Sequence, residues 1–185
     1  MNITKPQFIV YACPTGELNT QLETYFQLSK EQCGANNAHN YMPHCTLTGF
    51  FTDRLSSADY YLQALEEAYK NSPKGLASRH DRALEIEIKQ LVFNPEWHGL
   101  ELQAEAIKDL IKDFVRLETS PTRQENIRLK DWLHLSLAYG FESGDRAKLE
   151  MLARETINLA ADVAWELRFY QRVAGNWNCL KAWSL

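Results

Sequence analysis

A four-residue pattern that occurs twice is the strongest constraint on the fold of this chain. Residues 44–47 read His-Cys-Thr-Leu and residues 134–137 read His-Leu-Ser-Leu, so each copy has a histidine, an apolar residue, a hydroxyl residue and a second apolar residue. Alternation of polar and apolar side chains is typical of a strand with one face toward a core and the other toward a groove. The two copies lie 90 positions apart and predict a duplicated architecture with one such strand in each half.

The hydrophobic period changes in the same order around both copies. In the first half, apolar residues predict a buried strand at 8–13, a helix at 17–29, a strand within 42–51, a second helix and a third strand at 84–88. Ser56 or Ser57 can cap that second helix, and Pro73 and Gly75 end it.

The second half repeats this order. The sequence predicts a strand at 100–102, a helix at 107–117, a strand at 133–139, a helix that begins at Gly144-Asp145, and strands at 163–169 and 177–183. The distance from the motif histidine to the next helix cap is also similar, 13 positions from His44 to Ser57 and 11 from His134 to Asp145. Each half is therefore predicted as strand, helix, strand, helix, strand.

These elements predict an α+β fold. We expect a two-lobed, duplicated arrangement of mixed or mostly antiparallel sheets that line a central groove, with helices outside. The 185 residues, 45% of them hydrophobic, suffice for one substantial core, and no long linker interrupts them. We therefore expect one domain over 1–185, with lobe-like halves at about 1–95 and 96–185.

Composition restricts the class of partner. A net charge of −4 disfavours a protein that wraps many nucleic-acid phosphates, because that mode needs a cationic surface. The longest apolar run, residues 8–13, is too short to span a membrane, and no secretory pattern opens the chain. The four cysteines form no CxxC pair. We expect a cytoplasmic monomer without membrane contact, structural zinc or a disulfide scaffold.

The repeated motif has the composition of a catalytic site. Strand alternation places His44 and Thr46 on one face, and likewise His134 and Ser136, so two related halves bring two imidazoles and two hydroxyls toward one groove. Two imidazoles suit phosphodiester chemistry, because one can accept a proton from the attacking oxygen while the other donates a proton to the leaving oxygen. The hydroxyls can donate hydrogen bonds to phosphate oxygens, and this chemistry needs no metal or other cofactor.

With these motifs the chain resembles the two-histidine (2H) phosphoesterase superfamily, which has a 2'-5' RNA ligase-like fold. Residues 43–47 and 134–140 look most like its small cyclic phosphodiesterase branch, whose members open 2',3'-cyclic nucleotides or ADP-ribose 1'',2''-cyclic phosphate. The resemblance implies that His44 and His134 are catalytic and that Thr46 and Ser136 bind phosphate. It also implies that Tyr139 contacts substrate, although strand parity places Tyr139 opposite His134 unless the strand bends or ends there.

Five other residues near the motifs have no assigned role. Phe50 and Trp132 share the histidine faces by parity and can stack on a base, but core packing or surface exposure explains them equally well. Arg128 and Lys130 can supply positive potential or be merely solvated. His39 can touch substrate, and a solvated loop position is the simpler interpretation.

Three alternatives stay open. An RNA end-processing enzyme, a 2'-5' ligase-like enzyme or a 2'-5' oligonucleotide phosphodiesterase needs a longer cationic groove. A non-catalytic nucleotide-binding module would retain the lobes, although intact motifs in both halves argue against it. A metal site built from His39, His44 and cysteines leaves the motif hydroxyls without a purpose, and its ligand spacing is unusual.

Overall fold

The computed structural model describes residues 6–72 and 84–185 and confirms the α+β class. Within these ranges the chain forms four α-helices and eight strands that belong to one antiparallel sheet. The helices are α1 (Glu17–Cys33), α2 (Ala58–Asn71), α3 (Glu105–Leu117) and α4 (Arg146–Thr156). The strands are β1 (Gln7–Thr15), β2 (Cys45–Thr46), β3 (Phe51–Thr52), β4 (Glu87–Phe93), β5 (Trp97–Gln103), β6 (Leu133–Tyr139), β7 (Ala164–Val173) and β8 (Asn176–Ser184).

The predicted order of elements is confirmed in both halves, except that the single strand predicted within 42–51 is divided into β2 and β3, and the strand predicted at 84–88 is shifted to Glu87–Phe93. The predicted caps Ser57 and Asp145 immediately precede α2 and α4, but neither side chain makes a capping hydrogen bond, and Oγ of Ser57 lies 2.9 Å from Oγ1 of Thr122 instead. Helix α1 is four residues longer than predicted and ends at Cys33, where Gly34 adopts a φ of +82° and donates its N–H to a carbonyl of the last turn at 3.1 Å. Only glycine adopts this left-handed conformation without a steric penalty. The predicted helix end at Pro73 and Gly75 lies outside the described residues.

The strand order follows the duplication. Across the sheet the order is β4-β5-β6-β2-β1-β7-β8, and β3 pairs with β1. When each strand is exchanged for its counterpart in the other half, β4 for β7, β5 for β1 and β6 for β2, the order of the first six strands is reversed, so it reads the same from either edge. Helix contacts obey the same exchange, since α1 packs against α4 and α2 packs against α3. The structure therefore has an approximate twofold axis between β2 and β6.

Strand pairing crosses the boundary between the sequence halves. Strand β1 pairs with β7 along its whole length, and β5 pairs with β4. The group β4-β5-β6 meets the group β2-β1-β7-β8 where Cys45 of β2 pairs with Leu135 of β6. Because of this junction the strands form a single sheet, whereas the sequence predicts separate sheets. Cys45 and Leu135 are the second residues of the two motifs, so the approximate axis passes through the motifs themselves.

One face of this sheet carries the main core. Helical side chains and alternate strand residues form one buried cluster, which includes Phe8, Val10 and Ala12 of β1. The intervening β1 residues, Ile9, Tyr11 and Cys13, point to the other face and pack with Tyr170, Met42, Phe50 and Trp177 instead. This second, aromatic face has no helix residue in its cluster and is free to form a groove.

None of the helices found in the two described ranges is long and apolar enough to cross a membrane.

Candidate active site

The junction of β2 and β6 brings the two motifs together. Because Cys45 pairs with Leu135 in antiparallel register, continuing that register places His44 opposite Ser136 and Thr46 opposite His134. Directly opposite side chains lie about 5 Å apart, and diagonal neighbours such as the two histidines lie about 7 to 8 Å apart. The four polar side chains thus form a rectangle in which each imidazole has a hydroxyl across from it.

This rectangle lies in the wall of a cavity of about 360 Å³, a size typical of small-molecule sites. All five residues that the sequence analysis selected line the cavity, although their roles stay predictions. The remaining lining residues are Ile9, Tyr11, Phe26, Ala38, Tyr41, Met42, Thr48, Gly49, Phe50, Trp97, Arg128 and Lys130. No carboxylate is present among these described lining residues.

The ring of His44 is held from two sides. Its Nδ1 is 2.7 Å from the carbonyl oxygen of Met42, so Nδ1 carries the proton of the neutral ring and Nε2 remains available as an acceptor. The ring of Tyr11 packs against it with centroids 4.0 Å apart. Burial lowers the pKa of His44 to about 4, the Met42 carbonyl partly opposes that shift, and the positive charge of protonated His134 adds to it.

His134 lies between two tryptophans. Trp132 stacks on its ring with centroids 4.1 Å apart, and Trp97 meets it edge-on at 5.2 Å. Burial lowers the pKa of His134, and the backbone of Trp132 partly offsets this effect. Nδ1 of His134 is buried and forms no hydrogen bond of normal geometry with any described residue. In both motifs, the backbone of the residue two positions before the histidine, Met42 or Trp132, raises the pKa of the imidazole. This shared feature is consistent with the duplication.

Trp97 fixes one of the two motif hydroxyls. Its indole N–H donates a hydrogen bond to Oγ of Ser136 at 2.9 Å, so this hydroxyl keeps its own proton to donate elsewhere. The neighbouring Gly99 permits this packing, since a Cβ there would lie 2.2 Å from Cζ2 of Trp97 and 2.4 Å from the carbonyl oxygen of Leu135. Trp97 was absent from the sequence-based candidates because the predicted strand began only at Leu100, and the residues before it show no motif.

A bulge explains how Tyr139 reaches the cavity. His98 of β5 pairs with Ala138, but the next residue of β5, Gly99, pairs with Ser136, so Leu137 is an extra residue in β6. An extra residue reverses the alternation of faces beyond it. Tyr139 therefore joins His134 and Ser136 at the cavity, and the parity expectation that placed it on the opposite face is wrong.

The unassigned aromatic residues differ in position. Phe50 lines the cavity and packs against Trp177 with centroids 5.6 Å apart. Trp132 is 49% exposed and stacks on His134 from outside the set of lining residues. Tyr11 was missed because a strand buried on both faces shows no alternation from which a groove residue could be recognised.

His39 has a structural position instead of a place in the cavity wall. Its Nδ1 accepts the backbone N–H of Asn36 at 2.9 Å, and its Nε2 lies 3.0 Å from Oγ of Ser29 in α1. These contacts cap a short 3₁₀ turn, Asn37–Asn40, and tie it to the helix. His39 is thus neither a solvated loop residue nor a residue of the described cavity lining.

Two cations lie at one side of the cavity. Arg128 and Lys130 lie on a segment that runs antiparallel to residues 47–49, with Gly49 N–H to Arg128 O at 2.7 Å and Lys130 N–H to Leu47 O at 3.3 Å. Thr48, also in the lining, accepts the N–H of Val10 at 3.1 Å. Within the described residues, neither cationic side chain forms a salt bridge.

The loop that leads to these cations is anchored by a buried carboxylate. Asp53 accepts hydrogen bonds from the hydroxyls of Tyr61, Ser120 and Thr122 at 2.5 to 2.6 Å, and it accepts the N–H of Arg54 at 2.8 Å. These donors outweigh burial and lower the pKa of Asp53 to about 2. The ionised carboxylate of Asp53, which lies shortly before α2, therefore connects Ser120 and Thr122 of the loop to Tyr61 of α2.

Metal-ligating side chains do not cluster in residues 6–72 and 84–185: no three of the His, Cys, Asp and Glu side chains there are placed to hold a metal ion. The four cysteines are unpaired thiols, and Cys13 and Cys45 are buried.

Comparison with known proteins finds similarity to parts of larger chains. No family model matches the sequence. The chain is 32% identical over 169 residues to Ubiquitin-associated and SH3 domain-containing protein B of Mus musculus and of Homo sapiens. It is 29% identical over 168 residues to the ecdysteroid-phosphate phosphatase of Bombyx mori. These alignments cover 90% of this chain and 24 to 25% of each relative, so the chain spans about a quarter of the length of the curated relatives it matches.

Proposed function

We propose that this chain hydrolyses phosphoesters, and specifically that it opens a cyclic phosphodiester to a phosphomonoester by acid-base catalysis with two histidines. The observation that carries the proposal is the rectangle at the β2–β6 junction, where two imidazoles and two hydroxyls face one cavity. The 2',3'-cyclic nucleotides and ADP-ribose 1'',2''-cyclic phosphate are the substrates to which the resemblance to 2H phosphoesterases points.

The reaction uses the two histidines in opposite roles. Nε2 of His44 accepts a proton from water while the water oxygen bonds to phosphorus. The bond from phosphorus to one ring oxygen breaks, and His134 donates a proton to that oxygen, which leaves as a hydroxyl group. Thr46 and Ser136 donate hydrogen bonds to the nonbridging oxygens and stabilise the charge that builds there. Proton exchange with water restores both imidazoles.

The assignment of base and acid follows from electrostatics. Burial lowers the pKa of His44 to about 4, and the charge of protonated His134 contributes to that shift. We therefore assign His44, whose ring stays neutral near pH 7, as the base, and His134 as the acid. An anionic phosphate between the rings raises the pKa of both imidazoles and favours the protonated acid in the bound state.

The names of two insect relatives, the ecdysteroid-phosphate phosphatases of Bombyx mori and Drosophila melanogaster, favour phosphoester hydrolysis in general. They describe phosphatases, and this supports a second candidate, hydrolysis of a phosphomonoester such as an ecdysteroid phosphate. The aromatic side of the cavity, with Tyr11, Tyr41 and Phe50, offers apolar contact to a base or to a steroid. The matched segment is a quarter of those phosphatases, so their activity is not transferred on similarity alone.

One experiment separates the two candidates. The protein is incubated in excess EDTA with the four 2',3'-cyclic nucleotides, ADP-ribose 1'',2''-cyclic phosphate, p-nitrophenyl phosphate and an ecdysteroid phosphate, and products are identified by phosphorus NMR. We expect turnover of at least one cyclic diester and its loss in H44A and H134A. Turnover of the monoesters alone would favour the second candidate. Folded protein that binds nucleotide but turns over nothing would favour a binding module.

A further inference from the structure

The cations beside the cavity are more numerous than a single cyclic phosphate requires. A cyclic phosphodiester carries one negative charge, which protonated His134 can balance. Arg128 and Lys130 then contribute two further positive charges, and no carboxylate lies among the described lining residues to neutralise them. This excess occurs in a chain whose net charge is −4, so it is not a consequence of a generally basic surface.

The structure holds these two cations in place beside the site. Their backbone is hydrogen-bonded to residues 47–49. The centre of that segment, Thr48, lies two residues beyond Thr46, which is about 7 Å along an extended chain. The side chain of Arg128 packs over Gly49, where a Cβ would lie 3.1 to 3.3 Å from its atoms. The loop before them is fixed by Asp53 and by Glu125, whose carboxylate accepts the N–H and the hydroxyl of Thr52 at 2.6 and 2.7 Å.

Neither cation is held in a salt bridge by a described residue. Among described residues no carboxylate lies within salt-bridge distance of either side chain, although the Arg128 charge reaches Glu125 and helps to lower the pKa of that carboxyl group, and both cations are exposed to solvent. Positive charge that is ordered by its backbone, outside any salt bridge and open to a cavity is suited to bind an anion. The Lys130 charge is also close enough to lower the pKa of His134, which places it within electrostatic reach of the reacting phosphate.

We propose that Arg128 and Lys130 form a second phosphate subsite, so that the preferred substrate carries another phosphate besides the one that reacts. This inference rests on the proposed function, because it takes the rectangle of His44, Thr46, His134 and Ser136 as the site of the reacting phosphate. The second phosphate is either a terminal phosphomonoester on the same nucleotide or the next diester of a short oligonucleotide.

Three substrates with one reacting group test this subsite. They are adenosine 2',3'-cyclic phosphate, its 5'-phosphorylated derivative, and an adenosine dinucleotide that ends in a 2',3'-cyclic phosphate. We expect at least one of the two phosphate-bearing compounds to have a kcat/KM about tenfold higher than the first, the effect of one charge-assisted hydrogen bond. The compound that gains more identifies the source of the second phosphate.

Matched variants assign the effect to the two cations. In a variant with both R128Q and K130Q the ratio of kcat/KM values falls to near one. In R116Q, which removes an exposed arginine on α3, the ratio is retained. A ratio near one in the native protein, or an unchanged ratio in the double variant, would overturn the subsite.

A binding measurement keeps this test separate from the test of catalysis. If no compound is hydrolysed, calorimetry compares adenosine 3',5'-bisphosphate with adenosine 3'-monophosphate. Tighter binding of the bisphosphate, lost in the double variant, would support the subsite although the proposed reaction had failed. Equal binding of the two compounds would refute it.

Discussion

The buried imidazole of His44 makes a prediction about stability that is independent of any substrate. Its pKa is lowered from 6.5 to about 4 by burial, so below pH 6.5 the unfolded chain binds a proton that the folded chain does not. Stability is therefore lost as pH falls from 6.5 toward 4. At pH 5 this difference costs about 2 kcal/mol, and at pH 7 almost nothing.

Urea unfolding at pH 7 and pH 5, followed by tryptophan fluorescence, measures this contribution. The variant H44Q keeps a polar side chain without a titrating ring. We expect its free energy of unfolding to fall between pH 7 and pH 5 by about 2 kcal/mol less than that of the native protein. The other described histidines also have a lowered pKa, so only the difference between native protein and variant is assigned to His44.

A matched variant and a direct titration complete this test. Thr46→Val changes the same strand face without a titrating group and should keep the native pH dependence. An NMR titration of the His44 ring should give a pKa near 4. An equal fall in stability for H44Q and the native protein, or a ring that titrates near 6.5, would refute the electrostatic reasoning.

Three further predictions concern the scaffold around the site. Gly99→Ala would place a methyl group against Trp97 and a carbonyl oxygen of β6, and it should lower the free energy of unfolding by about 3 kcal/mol; an unchanged urea midpoint would contradict this. Asp53→Asn should lower the free energy of unfolding by about 2 kcal/mol at pH 7, because a carboxyl pKa lowered from 3.8 to about 2 stabilises the fold above pH 3.8. In acid unfolding curves the difference between native protein and variant should disappear as pH falls through 2. A difference that persists there would argue for a packing effect. Trp97→Phe removes the hydrogen bond to Ser136 and should lower kcat about tenfold. The control Trp183→Phe removes an indole N–H hydrogen bond to Glu66, far along the sheet, and should leave kcat unchanged. Equal effects of the two variants would exclude a specific role of Trp97 in positioning Ser136.

Much of the architecture could be predicted because local and global patterns agree. Alternation in residues 133–137 and the helical spacing in 107–114 each fix which side faces the core. The repeated motif adds long-range information, because two related halves bring equivalent strands together. The convergence of His44 and His134 on one cavity followed from that repetition, whereas the sheet order did not, since pairing partners depend on contacts far apart in sequence.

The parts that sequence could not predict depend on single backbone irregularities. One extra residue at Leu137 turns Tyr139 toward the cavity, and no local pattern signals such a bulge. His39 looked like a loop residue because its partner Ser29 lies on a helix surface that periodicity had not assigned as buried. Arg128 and Lys130 reach the site only because their segment pairs with residues 47–49, which are about 80 positions away.

The central claim is that the two histidines act as one catalytic unit. The measurement that tests it most directly is a double-mutant cycle on H44A, H134A and the double variant, with the best cyclic phosphate substrate and excess EDTA. We expect each single variant to lose a factor of about 100 to 10,000 in kcat/KM, and the double variant to lose little more than either one, because each residue is useful only with the other. A single variant within tenfold of the native rate, or losses that simply multiply in the double variant, would contradict the account.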